Sequence, residues 1–352
     1  MASVTALLLC ISGCSGSGPA SINNPPPGGV ATPGTPANSI YAISDPIGVA
    51  APANIVQFPK TGTGNLTPTL TITGPKDLLL TALAIDTSGS LYAAGEFYNG
   101  ATPGMSEIVV YAPGASGTAT PVRTLSGVPQ GAGQIEGLAV DGTGNLYVQT
   151  ALTVGTSLNS GIAVYSPGSN NVGAPNRFIS GGATQVSNSR QLAVDATGTI
   201  YTSSSLSVGP ESVLIFAPGT NGNVAPTRTI GGANTQIFYI QGLALDAAGN
   251  LYVATLADDH QGGLSGTPSI LVFSASASGN VAPTRSIAGA ATTMGEIWNI
   301  SVDSVGNIYV LSQAPNSDNI LKFGPTATGN VPPIATISSA AFPIANGGIV
   351  AP

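Results

Sequence analysis

A closed ring of six four-stranded antiparallel blades is the fold this sequence predicts, and three observations predict it. First, one pattern returns five times. It is Glu136-Gly-Leu-Ala-Val-Asp-Gly-Thr-Gly-Asn-Leu-Tyr-Val148 with its copies, whose aspartates Asp86, Asp141, Asp195, Asp246 and Asp303 follow one another at 55, 54, 51 and 57 residues. A period of that length belongs to propeller-like repeats. Second, each period divides into four short apolar segments separated by turn signals, as an antiparallel meander requires. Third, the Leu-Tyr segment occurs six times, at Tyr41, Tyr92, Tyr147, Tyr201, Tyr252 and Tyr309, whereas the segment leading into the aspartate occurs only five times. Gly347 to Ala351 supplies the sixth. The C-terminal strand is therefore expected to pair with the N-terminal blade and remove the open edges of a linear array. The predicted class is all-β, a six-bladed β-propeller over residues 39–352.

Ahead of the repeats stands Ala6-Leu-Leu-Leu-Cys-Ile-Ser-Gly-Cys14, a short apolar run closing on small residues. It is too short to span a bilayer and has the shape of a signal-peptide core, so residues 1–14 read as a signal peptide. Ile11-Ser-Gly-Cys14 resembles a bacterial lipobox, which implies lipidation of Cys14. Met1 to Thr5 carries no Lys or Arg, unlike the basic start of such a segment, which suggests a truncated or misassigned N-terminus. Residues 15–38, with Pro25-Pro-Pro-Gly-Gly29 and Pro33-Gly-Thr-Pro36, hold almost nothing apolar larger than valine and read as a tether. The expected location is the bacterial cell envelope, periplasmic or extracellular, with membrane contact only through the lipid.

Within a period, the innermost strand A precedes the aspartate and strand B carries Leu-Tyr. In the third blade the four strands are expected at Gly137 to Val140, Leu146 to Thr150, Gly161 to Tyr165 and Asn176 to Ser180. The A-to-B turn Asp141-Gly-Thr-Gly-Asn145 places Asp where its carboxylate can bond backbone N–H groups and Gly where the chain turns left-handed, so the five aspartates are read as turn caps. Strand C ends on an aromatic in every copy: Phe58, Tyr111, Tyr165, Phe216, Phe273 and Phe323. Strand D, clearest as Ala225-Pro-Thr-Arg-Thr-Ile230, has the proline and charge of an outermost edge strand. Arg123, Arg177, Arg228 and Arg285 share one position there and are expected to be solvated edge charges.

The repeat, Gly-Leu-Ala-Val-Asp followed by Gly-Asn-Leu-Tyr-Val, resembles the NHL-repeat class of propellers and, more loosely, the gluconolactonase class. The resemblance covers everything after the tether. It implies the fold and leaves the activity open, since such propellers host binding modules, lyases and lactonases.

Composition narrows the partners. Only 7% of residues are charged, the net charge is −7, and eight Lys and Arg form no basic stripe, so nucleic acid is not expected as a partner. Both cysteines, Cys10 and Cys14, precede the repeats, and His260 is the only histidine, which excludes a multi-histidine or cysteine zinc site. Asp258-Asp259-His260 reads either as a solvated loop triplet or as an oriented imidazole base.

A meander puts the A–B and C–D turns on one face, and the B–C loops and D–A crossovers on the other. The acids outside the turn caps, and the aromatics outside strands B, C and D, all fall on the second face. This crossover face is where a ligand is expected, around the mouth of the central channel. Glu136, Arg190, Gln241 and Trp298 precede the inner strands there. Phe97, Tyr98, Phe238 and Tyr239 stand in neighbouring loops, and Asp258, Asp259 and His260 complete the candidate set. Trp298 reads either as a platform or as a plug of the channel. The gluconolactonase resemblance implies a divalent cation, with calcium the candidate, at Thr81, Glu136, Arg190, Gln241, Trp298 and about Gly347. One carboxylate, one amide and an arginine make a poor cage for a hard cation, so no metal or catalytic residue is assigned. The expected function is a lipid-anchored, non-catalytic module binding a glycan, peptide or protein. The alternative is a metal-dependent hydrolase or lyase.

Overall fold

The computed structural model describes residues 36–44, 52–98, 103–126, 133–154, 157–170, 174–187, 191–204, 211–256, 267–313, 318–341 and 343–352. The expected leader with Cys14, and the tether up to residue 35, lie outside them, as do Arg190, Asp258, Asp259 and His260. Six antiparallel sheets follow one another as the blades of a propeller. Blade 1 joins Ser39–Ser44, Asn54–Pro59 and Leu70–Thr73 to the innermost strand Ile344–Val350, so the last strand of the chain closes the ring as expected. Tyr41 stands opposite Val350 and Ala42 opposite Ile349. The inner strands of blades 2 to 6 are Leu78–Ile85, Gly133–Val140, Leu192–Val194, Tyr239–Leu245 and Ile297–Val302. Strands of blade 3 run longer than the sequence pattern, to Leu146–Val154 and Ser157–Tyr165, because backbone pairing continues into the hairpin as far as Val154 opposite Ser157.

The core lies between blades rather than within them. Among the described residues six clusters of buried side chains occur, one at each blade–blade junction; Ile108, Val110, Ile135 and Val148, for example, join blades 2 and 3. A strand sandwiched between two neighbours is buried on both faces, so Leu251–Leu256 is buried at every residue and shows no alternation. The strand C aromatics fill these junctions, with Phe58, Phe216, Phe273 and Phe323 fully enclosed.

The turn aspartates act as the sequence predicts. Asp141 Oδ1 accepts from Thr143 N at 2.9 Å and Asn145 N at 3.0 Å, while Oδ2 accepts from Asn145 Nδ2 at 2.8 Å and the Tyr147 hydroxyl at 3.0 Å. The arginines, however, are not solvated edge charges. Arg123 Nη2 donates to the Tyr92 hydroxyl at 2.8 Å, and its Nη1 donates to Ser169 O of the next blade at 3.2 Å. Its guanidinium carbon lies 5.4 Å from the Tyr92 ring centroid. Arg177 and Arg285 repeat this arrangement on Tyr147 and Tyr252. Each of these three arginines thus ends an Asp–Tyr–Arg chain and ties its blade to the following one. Folding brings the next blade's C–D turn within reach, which the sequence of one blade does not reveal. In blade 6 Ala335 replaces the arginine, and Lys322 substitutes for it, 5.5 Å above the Tyr309 ring and bonded to Lys60 O of blade 1 at 3.0 Å.

Nor is strand D a free edge at every blade. A glycine of the next blade's C–D turn pairs in parallel with it at Ile72–Gly117, Ile230–Gly279, Ile287–Gly329 and Ile337–Gly64. The asparagine after several of these glycines reaches into the preceding blade's D–A crossover: Asn280 Oδ1 accepts from Asn234 N at 2.8 Å. Gly232 makes room for it, since a Cβ there would lie 2.7 Å from Asn280 Oδ1 and its φ is 114°. Asn223 and Asn330 act alike toward Ala183 and Ala291.

Candidate functional site at the channel mouth

The six inner strands surround a channel of about 280 Å³. Its wall is largely aliphatic, and its polar side chains among the described residues are Glu136, Gln191, Asn299 and Ser301. Glu136 is the one charged side chain among them. Each inner strand enters the ring from the crossover face, and the sequence places a polar or bulky residue at that entrance for a structural reason. Thr81, Glu136, Gln241 and Trp298 are the extra residues where the A-to-B register slips in blades 2, 3, 5 and 6. A bulge residue is unpaired and leaves the alternation of the strand, so its side chain is re-aimed.

The four side chains accordingly do not converge. Thr81 donates its hydroxyl to Ile135 O of the next inner strand at 2.9 Å. Glu136 faces the channel, Gln241 is half-buried outside the channel wall, and Trp298 packs sideways on the cluster joining blades 6 and 1. Trp298 is not among the residues that line the channel, and among the described residues its buried indole Nε1 has no hydrogen-bond partner. Phe97 packs against the cluster between blades 1 and 2. Tyr98 ends strand Leu91–Tyr98 of the same blade. Phe238 is half-buried and bonds through its backbone to Glu211 N at 3.0 Å and Thr255 Oγ1 at 3.2 Å, and Tyr239 beside it is 38% exposed. These last two belong to blade 5, three blades from Phe97, so the aromatics form two separate groups across the ring.

The sequence reading missed Gln191 and Asn299. Both occupy the position four residues before the repeat aspartate, where the other copies have Ala82, Gly137 and Gly242. Ser301 replaces the alanine two residues before it. The signal was present as an amide in a small-residue column, one place along from the column that was singled out. Asn299 Oδ1 accepts from Ile300 N at 2.7 Å, which leaves its amide nitrogen as the donor.

Two further carboxylates mark the crossover face. Glu211 is buried and accepts from Ile240 N at 2.7 Å, fastening blade 4 to blade 5. In blade 6, burial pushes the Asp318 carboxyl up, and the charge of Glu296 adds to that.

A calcium cage of the kind the gluconolactonase resemblance implies does not fit these residues. Thr81 has committed its hydroxyl proton to a carbonyl, Trp298 offers no oxygen, and Glu136 is the one carboxylate at the ring positions described. Hard cations take six or more oxygens. Among the described residues no group of three His, Cys, Asp or Glu is placed to hold a metal ion.

No protein-family model matches the chain, and no curated protein matches it. Solved structures do. A protein of unknown function from Bacteroides caccae aligns over 89% of this chain and 97% of its own, at 10% identity and a TM-score of 0.57. A glucose dehydrogenase aligns over 84% of this chain and 99% of its own, at 11% identity and a TM-score of 0.50. At such identities the similarity is one of fold, and the fold is the six-bladed β-propeller that the repeat predicts.

Proposed function

We propose that this protein is a non-catalytic binding module of the cell envelope, a lipid-anchored propeller of the NHL-like kind. It takes a neutral polyhydroxylated or cationic group of a glycan, peptide or protein at the crossover-face mouth of its channel. The observation that carries the reading is the lining: one carboxylate, Glu136, among neutral amides and a hydroxyl on an aliphatic wall. Amides and hydroxyls both donate and accept, and a carboxylate among them favours a cation or a hydroxyl donor over an anion. The anchor rests on the Ile11-Ser-Gly-Cys14 motif and the proline-rich segment after it.

The test uses the full chain on an array of neutral glycans, acidic glycans and basic peptides, with Glu136→Gln beside the parent. A neutral or basic hit weakened at least tenfold by the substitution is expected. The absence of any hit weakened by Glu136→Gln, or turnover of a lactone with added calcium, overturns the module reading. For the anchor, Cys14→Ser should abolish incorporation of labelled palmitate, and retention of the label would dismiss it.

A further inference from the structure

The Asp–Tyr–cation chain is closed in blades 2, 3, 5 and 6 and open in blade 4. Tyr92, Tyr147, Tyr252 and Tyr309 all donate to their aspartates, at 3.2, 3.0, 3.3 and 3.0 Å. In blade 4, Asp195 Oδ1 accepts from Thr197 N, Thr197 Oγ1 and Thr199 N, but among the described residues nothing bonds its Oδ2. Arg228 sends Nη1 to Ala275 O at 2.8 Å and Ala277 O at 3.0 Å, and it does not reach the Tyr201 hydroxyl as Arg177 reaches that of Tyr147. Asp195, Tyr201 and Arg228 all line one cleft of about 630 Å³ on the turn face.

The opening coincides with a departure in the neighbouring C–D turn of blade 5. In blades 2, 3, 4 and 6 the first residue of the C–D turn is Pro113, Pro167, Pro218 and Pro325; in blade 5 it is Ala275. Around Gly249 of blade 5 the Ala275 methyl is the one atom near the Cβ position, at 3.3 Å, where the other copies have a proline.

We propose that this cleft is a second binding site, for a neutral saccharide presenting two adjacent hydroxyls. The guanidinium donates, the free carboxylate oxygen accepts, and the Tyr201 hydroxyl does either. A vicinal diol, whose hydroxyls each give and take a proton, satisfies all three together. Asp246 and Asp303 also line the cleft, so an anion meets three carboxylates, while Arg228 opposes a bound amine. Ala247, Ala248 and Ala275 leave an apolar floor for the C–H face of a sugar ring. The site faces away from the crossover mouth and does not rest on the function proposed for it.

The experiment titrates the full chain with a panel of neutral mono- and disaccharides and their uronic-acid counterparts, read by ligand-observed NMR. A neutral sugar is expected to bind, its Kd raised at least tenfold by Tyr201→Phe and by Asp195→Asn. Asn keeps the turn-capping oxygen and replaces the free oxygen with a donor. Folding is checked separately: Tyr201→Phe should leave Tm unchanged, whereas Tyr147→Phe, which breaks a closed chain, should lower it by about 2 °C or more. No binding by any neutral sugar, binding that neither Tyr201→Phe nor Asp195→Asn weakens, or an equal loss of Tm in both tyrosine variants overturns the proposal.

Discussion

The turn aspartates show how one residue type, repeated, sets the conditions under which the fold survives. Burial alone would raise the Asp141 carboxyl, but the bonds from Asn145 and Thr143 outweigh it and hold it below the usual carboxylate range. Asp86 and Asp195 are lowered in the same way by residues of their own turns, and Asp303 by Asn307, by the Tyr309 hydroxyl and by the charge of Lys60. A carboxylate whose pKa is depressed in the folded state contributes stability that is complete above its unfolded value, about pH 4, and lost as pH falls through the folded value. Urea unfolding should therefore show stability falling steeply below about pH 4. Asp141→Asn should cost roughly 1–2 kcal/mol at pH 7 and reduce the acid loss. An acid loss as large in the variant as in the parent would place its origin elsewhere.

At the scale of the element, the C–D turn departs from its pattern at Ala275, the first central position of a turn closed by Ala277 N donating to Ser274 O at 2.9 Å. Proline is favoured there, and four sister turns have it. Ala275→Pro should raise stability by about 0.4–1 kcal/mol in urea titration, by restricting the unfolded chain, while leaving the carbonyl that Arg228 uses. A loss of stability would mean that this turn differs in backbone from its sisters. Turns of this kind were legible in the sequence because their chemistry is local: Asp, Gly and Asn act within five residues. The inner-strand bulges were not. Glu136 and Trp298 share a repeat column, yet one faces the channel and the other a blade junction, since a bulge breaks the alternation by which a side chain's direction is read. The roles of Arg123 and Asn280 were hidden for a different reason, because their partners belong to the next blade, 46 residues away in each case.

For the molecule as a whole, stability converges on the junction of blades 6 and 1. Ile349 is 3% exposed in the cluster there, and Ala351 N donates to Ser301 Oγ at 3.0 Å. Lys60 bonds Pro352 O and stands 3.7 Å from Asp303. A Cβ on Gly348 would lie 2.4 Å from Leu83 N, so the closing strand fits closely against blade 2 as well. Deleting residues 348–352 should cost at least about 3 kcal/mol, from lost burial and lost pairing together, and an unchanged urea midpoint would disprove closure by this strand. Closure was readable from the sequence as a count, five copies of one strand against six of another. The same pairing has a consequence for chain connectivity. Val350 stands opposite Tyr41 as Ala139 stands opposite Tyr147, so Asp-Gly-Thr-Gly-Asn inserted between Ala351 and Ile40 would write a sixth copy of the repeat across the seam. Topologically the ring then has no first blade, and a circular permutant bearing that linker and reopened at another A–B turn is the same propeller begun at a different place.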